Sequence, residues 1–334
     1  MANLEVKWMG LKLKTPFVAG SSPLSGNLEN LRRLEKAGAG AAVLPSLFEE
    51  QLSASAHDPD KGLDLGTESY AAALSFFPHM DTYNRGRDLY LERIRAAKSA
   101  LSMPVVASLN GIHPGSWCEF GRAMQEAGAD ALELNVYLLN TDLAVTASKA
   151  EKDLAALVRQ TVSCVTVPVA VKLAPFYTAL PNLARKLKNA GARGLVLFNR
   201  FFNPDLDLDK KAIMPRLART TPDELWLRLR WLAILYGRVK LDLALSGGVS
   251  KPEDAVKAIL SGASTVQVTS ALYEKGPEFV GKLVSGLDRW LDRNGYESAE
   301  AAKGTMSQKS VEDPGGFERA NYLQLLRAFE EGPR

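Results

Sequence analysis

Cysteine and histidine are scarce in this 334-residue chain: two of the former, Cys118 and Cys164, and three of the latter, His57, His79 and His113. The cysteines form no CxxC pair and both fall in segments patterned as helices. Thiolate metal sites, iron–sulfur clusters and a structural disulfide are therefore not expected, and neither is any other metal centre. A reducing, cytoplasmic setting is the matching expectation. Long apolar runs are missing too: no stretch approaches the roughly 20 residues of a membrane span, and no secretory signal precedes Leu4. Charge of one sign is also lacking. The 41 Lys and Arg stand against 38 Asp and Glu, a net charge of +3, and the basic residues scatter along helices. That balance points away from nucleic acid and membrane as partners and toward a small-molecule substrate. A hydrophobic content of 46% suffices for a large core.

One punctuation recurs along the chain: Lys36-Ala37-Gly38-Ala39, Glu126-Ala127-Gly128-Ala129, Asn189-Ala190-Gly191-Ala192 and Leu260-Ser261-Gly262-Ala263. Each glycine follows an amphipathic helix, where a left-handed residue closes the last turn. Each also precedes an apolar run of the kind found in buried parallel strands. The runs so marked are 41–44, 131–135, 194–199 and 264–268, and others lie at 15–19, 104–108, 168–173 and 241–246. Eight strands alternating with helices predict an α/β fold, a (β/α)8 TIM barrel. The expected division is a barrel over residues 1–295 and a C-terminal linker and helix, about 317–329, over residues 296–334. That last helix is expected to pack on the barrel or on a partner subunit.

Three departures from a minimal barrel are visible. Leu4–Lys14 alternates around Met9-Gly10, which predicts a hairpin placed to plug the barrel's bottom. A long insertion follows strand two (48–88), and a second follows strand six (200–221). Both leave C-terminal strand ends and so belong to the active face.

Candidate chemistry is sought at those same ends. Ser246-Gly247-Gly248 lets backbone approach a ligand closely. Ser250 and Glu253, with Pro252 between them, predict a capping box that starts a helix just beyond. Together with Thr269-Ser270 after the next strand, this is the pattern of a barrel phosphate site. Lys172 interrupts an apolar strand, so its ammonium needs an anionic neighbour. Asn110, Asn135, Asn140 and Asn199 converge on the same rim, and amides can read the edges of a flavin or a pyrimidine. A lysine near a flavin's pyrimidine end would stabilise its reduced, anionic form.

These residues resemble the dihydroorotate dehydrogenase family, especially its class 1 branch, over about residues 4–295. The resemblance rests on Pro16-Phe17-Val18-Ala19-Gly20-Ser21, Glu133-Leu134-Asn135, Val171-Lys172-Leu173-Ala174-Pro175 and Asn199. It continues through Ser246-Gly247-Gly248-Val249 and Gln267-Val268-Thr269-Ser270-Ala271-Leu272. It implies an FMN-dependent oxidoreductase converting dihydroorotate to orotate in pyrimidine biosynthesis, or acting on a related cyclic amide. Ala19, Gly20, Ser21, Ser46, Asn110 and Asn135 would then line the flavin, with Lys172 at its pyrimidine end. Ser246, Gly247, Gly248, Thr269 and Ser270 would hold its phosphate, and Asn135, Asn140 and Asn199 would face the substrate. A homodimer is the family's expectation, and the electron acceptor stays open.

The chain also departs from the family pattern. The position of the family's cysteine or serine base is Leu138, which accepts no proton, and the lysine expected after strand two is Pro45. A substrate loop rich in glycine and asparagine is replaced by Leu74-Ser75-Phe76-Phe77-Pro78-His79, and no glycine occurs between Gly194 and Gly237. Tyr137, His79 and His113 are the replacement candidates for the base, imidazole titrating in the right range. Two other readings stay open. One is a flavin-binding barrel without dihydroorotate activity, serving as a partner or electron-transfer module. The other is a flavin-free enzyme on a sugar phosphate, with Lys172 forming a Schiff base.

Overall fold

Eight parallel strands close into a barrel, in the order Asp242–Ser246, Thr265–Val268, Phe17–Ala19, Ala41–Phe48, Val105–Asn110, Ala131–Asn135, Val169–Leu173 and Gly194–Leu197. The computed structural model describes residues 2–48, 86–110, 114–136, 139–200, 203–214 and 218–318, with residues 326, 327 and 330. In chain order the barrel strands are β3 (Phe17–Ala19), β4 (Ala41–Phe48), β5 (Val105–Asn110), β6 (Ala131–Asn135), β7 (Val169–Leu173) and β8 (Gly194–Leu197), then β11 (Asp242–Ser246) and β12 (Thr265–Val268). These overlap all eight apolar runs read from the sequence. Helices α1 (Leu28–Lys36), α2 (Arg87–Ala100), α3 (Pro114–Glu126), α4 (Ala147–Ser163), α5 (Leu180–Asn189), α6 (Leu225–Leu235), α7 (Pro252–Leu260), α8 (Ser270–Lys275) and α9 (Phe279–Arg293) surround it.

The glycine punctuation works as its chemistry requires. Gly38, Gly128, Gly191 and Gly262 all adopt positive φ, between 97° and 111°, directly after α1, α3, α5 and α7. A side chain is disfavoured there, so the chain turns off the helix and enters the next strand. Inside, the strands bury Val, Leu and Ala on both faces, as a covered parallel sheet must.

The N-terminal hairpin pairs β1 (Val6–Trp8) with β2 (Leu11–Leu13) through Met9 (φ 53°) and Gly10 (φ 87°). Two successive positive φ values give the turn a twist that suits antiparallel strands. Met9 N–H donates to Asp242 Oδ2 at 2.6 Å, and the Met9 side chain lies 3.1 Å from where a Cβ on Gly194 would sit. Asp242 and Gly194 open β11 and β8, so the hairpin does sit across the N-terminal end of the barrel. A second hairpin, β9 (Asp205–Asp207) with β10 (Ala212–Met214), rises from the insertion after β8.

Two expectations need correction. Cys118 on α3 and Cys164 at the end of α4 are joined as a disulfide, their Cα atoms 5.5 Å apart. Forty-six residues separate them in sequence, and only the side-by-side docking of two neighbouring helices brings them together. The helix after the glycine turn is capped by Asp254 rather than Glu253. Its Oδ2 accepts from Ser250 N–H at 2.8 Å, Ser250 Oγ at 3.0 Å and Lys251 N–H at 3.1 Å. The helix starts at Pro252, so its third position, where a capping carboxylate reaches back, is Asp254.

Beyond Gly295 the chain is tied to the barrel. Asn3 bridges to Ser298, and Gly304, Met306 and Gln308 N–H groups donate to carbonyls of Ile259, Leu260 and Ala233. The helix expected at about 317–329 falls largely outside the described residues.

Candidate active site at the barrel mouth

A proline in β4 sets the first part of the site. Pro45 has no N–H to give the ladder, and the β4–β5 register shifts between Val43 and Ser46. Beyond that bulge, Ser46 Oγ lies 2.8 Å from Ser108 Oγ and 3.3 Å from Ser21 Oγ. Asn135 Nδ2 donates to Ser46 Oγ at 3.2 Å, and Asn199 Nδ2 donates to Asn135 Oδ1 at 2.6 Å. Ser108 is itself fixed by Tyr90, whose hydroxyl accepts from Ser108 N–H at 2.9 Å. One chain of neutral polar groups thus crosses the mouth from β3 through β4 and β6 to the end of β8.

Lys172 finds the anionic neighbour its position demands. Its Nζ donates to Glu133 Oε1 and to Gln267 Oε1, each at 3.3 Å, and Gln267 Nε2 donates to Glu133 Oε2 at 2.5 Å. Strand register explains the meeting. Asn135 lies opposite Lys172 on β7 and Glu133 opposite Ala170, so Glu133 and Lys172 are two positions apart and share the inner face. Gln267 comes from β12 across the barrel. Lys172 is 6% exposed, Glu133 and Gln267 not at all. Each member satisfies the others, which is the condition for holding charge in such an interior.

The glycine turn follows β11, beside the strand that carries Gln267, with Ser246 paired to Gln267. Gly247 (φ 94°) and Gly248 (φ 83°) follow β11, and among the described residues no backbone carbonyl accepts from either N–H. A Cβ on Gly248 would lie 2.8 Å from Leu225 N, and one on Gly247 would lie 3.0 Å from Arg228 Nη2. Only glycine fits either place. Gly20 N–H donates to Val268 O at 2.9 Å, and a Cβ on Gly20 would collide with Thr269 Oγ1. Thr220 adds a hydroxyl that sequence reading missed: its N–H and Oγ1 donate to Ser270 Oγ at 3.1 and 2.9 Å.

Arg228 on α6 was missed as well. It is 4% exposed, donating from Nε to Ser246 O and from Nη1 to Glu224 O at 2.6 Å. Burial lowers its pKa, with Arg200 also lowering it and Glu224 raising it. The signal available was a charge set in a helix apolar nearly all round, Leu-Trp-Leu-Arg-Leu-Arg-Trp-Leu-Ala-Ile-Leu.

The remaining candidates divide. Ala19 ends β3 and Asn110 ends β5, both at the mouth. Asn140 is exposed on the segment after β6, and no hydrogen bond among the described residues joins it to the Asn135–Asn199 pair. Tyr137, Leu138, His79 and His113 lie outside the described residues. No helix among the described residues is long and apolar enough to cross a membrane.

A closed parallel barrel with its polar groups gathered at the strand C-termini is the architecture of a barrel enzyme. Residues 3–291 match the family model described as dihydroorotate dehydrogenase, and the chain belongs to that family of oxidoreductases. A relative from Aeropyrum pernix, provisionally named dihydroorotate dehydrogenase A (fumarate), is 29% identical over 89% of this chain and 95% of its own length. The dihydroorotate dehydrogenase B (NAD(+)) catalytic subunit of Methanosarcina acetivorans is 27% identical over 87% and 92%. The NAD-dependent dihydropyrimidine dehydrogenase subunit PreA of Escherichia coli is 25% identical over 92% of this chain and 78% of its own.

Proposed function

We propose that the protein is an FMN-dependent oxidoreductase acting on dihydroorotate or a related cyclic amide, within pyrimidine metabolism. The observation that carries this reading is the placement, at one mouth, of a glycine turn whose N–H groups meet no backbone carbonyl among the described residues, a buried ammonium and a line of amides and hydroxyls. The donor set fits the group. Gly247, Gly248, Thr269 and Ser270 would hold the phosphate, Ala19, Gly20, Ser21, Ser46 and Asn110 would line the ring, and Lys172 would serve its pyrimidine end. FMN, when bound, supplies a hydride acceptor. Glu133 and Gln267 fix the ammonium of Lys172, so its position does not depend on the ligand. Asn135 and Asn199, already locked to each other and to Ser46, present amide edges complementary to a cyclic amide. Asn140 would join them from the segment after β6.

The proton is the open step. Leu138 stands at the family's base position, which leaves Tyr137, His79 and His113 as candidates. That substitution is also what favours a second reading, a flavin-binding barrel without dihydroorotate activity that serves as a partner or electron-transfer module. The Schiff-base reading is set aside, because Lys172 is committed to two acceptors. Exposed Leu206, Leu208 and Ile213 on the β9–β10 hairpin support a homodimer built on this face.

Anaerobic mixing of flavin-loaded protein with dihydroorotate tests the proposal: bleaching of the flavin absorbance is expected, faster in Leu138→Cys. Loaded protein that neither dihydroorotate nor an uncharged dihydropyrimidine bleaches at any pH would leave only the second reading.

A further inference from the structure

The glycine turn rests on a buried cation. The Arg228 guanidinium lies 3.0–3.2 Å, measured at Nη2, Nε and Cζ, from where a Gly247 side chain would begin. Its Nε grips the carbonyl of Ser246, the last residue of β11, and its Nη1 grips the Glu224 carbonyl. Ser246, Gly247 and Gly248 are therefore held against α6, and among the described residues no backbone carbonyl takes the Gly247 and Gly248 N–H groups. Among the described residues the ion pairs at this point do not balance. Glu224 pairs with Arg200 and, at 3.5 Å, with Arg228, so two guanidiniums share one carboxylate. A surplus positive charge in a poorly solvated place acts over longer range than one in water.

We infer that Arg228 is the residue that makes this turn selective for a phosphomonoester: it fixes the turn's shape through Ser246 O and supplies the surplus charge against the dianion. The inference rests on the flavin reading above and assigns a role to a residue outside the motifs that suggested it. Arg228 works through the peptide planes of the turn rather than by touching the ligand. It is a positioning residue, and its effect falls on the phosphate end alone.

The discriminating experiment compares FMN with riboflavin, which lacks the phosphate, by fluorescence-quenching titration of apo-protein. Wild type should prefer FMN. Arg228→Met should weaken FMN binding about tenfold while changing riboflavin little, the size expected for losing one charge-assisted interaction. Arg228→Lys should keep most of the preference. Glu224→Gln probes the same charge from the other side, by removing the carboxylate that partly offsets Arg228, and should raise the FMN-to-riboflavin ratio about threefold. Equal weakening of both ligands in Arg228→Met, or an unchanged or lowered ratio in Glu224→Gln, would overturn the inference. Should Arg228→Met fail to fold, the Glu224→Gln ratio decides. Wild-type protein that binds neither ligand would instead refute the flavin reading itself.

Discussion

Replacing Lys172 with methionine keeps the length and most of the volume of the side chain and removes its charge. In the wild type, Glu133 is wholly buried and, among the described residues, has two partners, Lys172 and Gln267. Lys172→Met leaves Gln267 on Oε2 and nothing on Oε1, a carboxylate stranded in the barrel interior. Breaking a buried pair from one side costs about 3–5 kcal/mol. Removing both charges together is a different matter. In Lys172→Met/Glu133→Gln the new amide still bonds Gln267, and no ion is left unpaired. The double variant should recover at least about 2 kcal/mol of the loss, a coupling typical of residues in direct contact. Urea unfolding of the apo-proteins, followed by circular dichroism and tryptophan fluorescence together, reads both numbers. A loss below about 1 kcal/mol in the single variant, or a double variant worse than the single, would show that the triad is solvated and the reasoning wrong.

Two more outcomes follow from the same physics. Burial raises the pKa of Asp242, and the Met9 N–H only partly offsets it. An acid whose folded pKa is raised binds its proton more tightly folded than unfolded. Its ionised form thus costs stability above that pKa, and the cost fades as pH falls toward the unfolded value of about 3.9. Asp242→Asn keeps an oxygen for Met9, so it should match or exceed wild type in urea midpoint at pH 7, with the advantage vanishing below about pH 4. A variant less stable by about 1 kcal/mol or more at pH 7 would contradict this. The Cys118–Cys164 crosslink closes a long loop, so Cys118→Ser should lower stability by about 2–4 kcal/mol under non-reducing conditions. Two titratable thiols in unreduced, denatured wild type would rule the bond out.

The barrel was legible because its signals are local. A glycine after a helix, then a short apolar run, says what the next few residues do, and four such repeats with four further runs give the eight strands. The Met9-Gly10 turn and the Ser246-Gly247-Gly248 turn were legible for the same reason. What the sequence withheld is pairing across the barrel. Lys172 advertised its need for an anion, yet choosing Glu133, 39 residues away, requires the β6–β7 register. Gln267 lies 95 residues from Lys172 and joins the pair only once β12 closes against β3. Arg228 read as one more charge on a helix until burial and the Ser246 carbonyl gave it a purpose. The disulfide was hidden likewise, since no spacing rule links the middle of one helix to the end of the next.

On the proposed reading, this mouth takes a flavin by its phosphate and its pyrimidine end. Equilibrium titration of purified, folded apo-protein with FMN tests it most directly. One FMN should bind per chain and be released again on denaturation. Fully folded protein that takes up no FMN would contradict it.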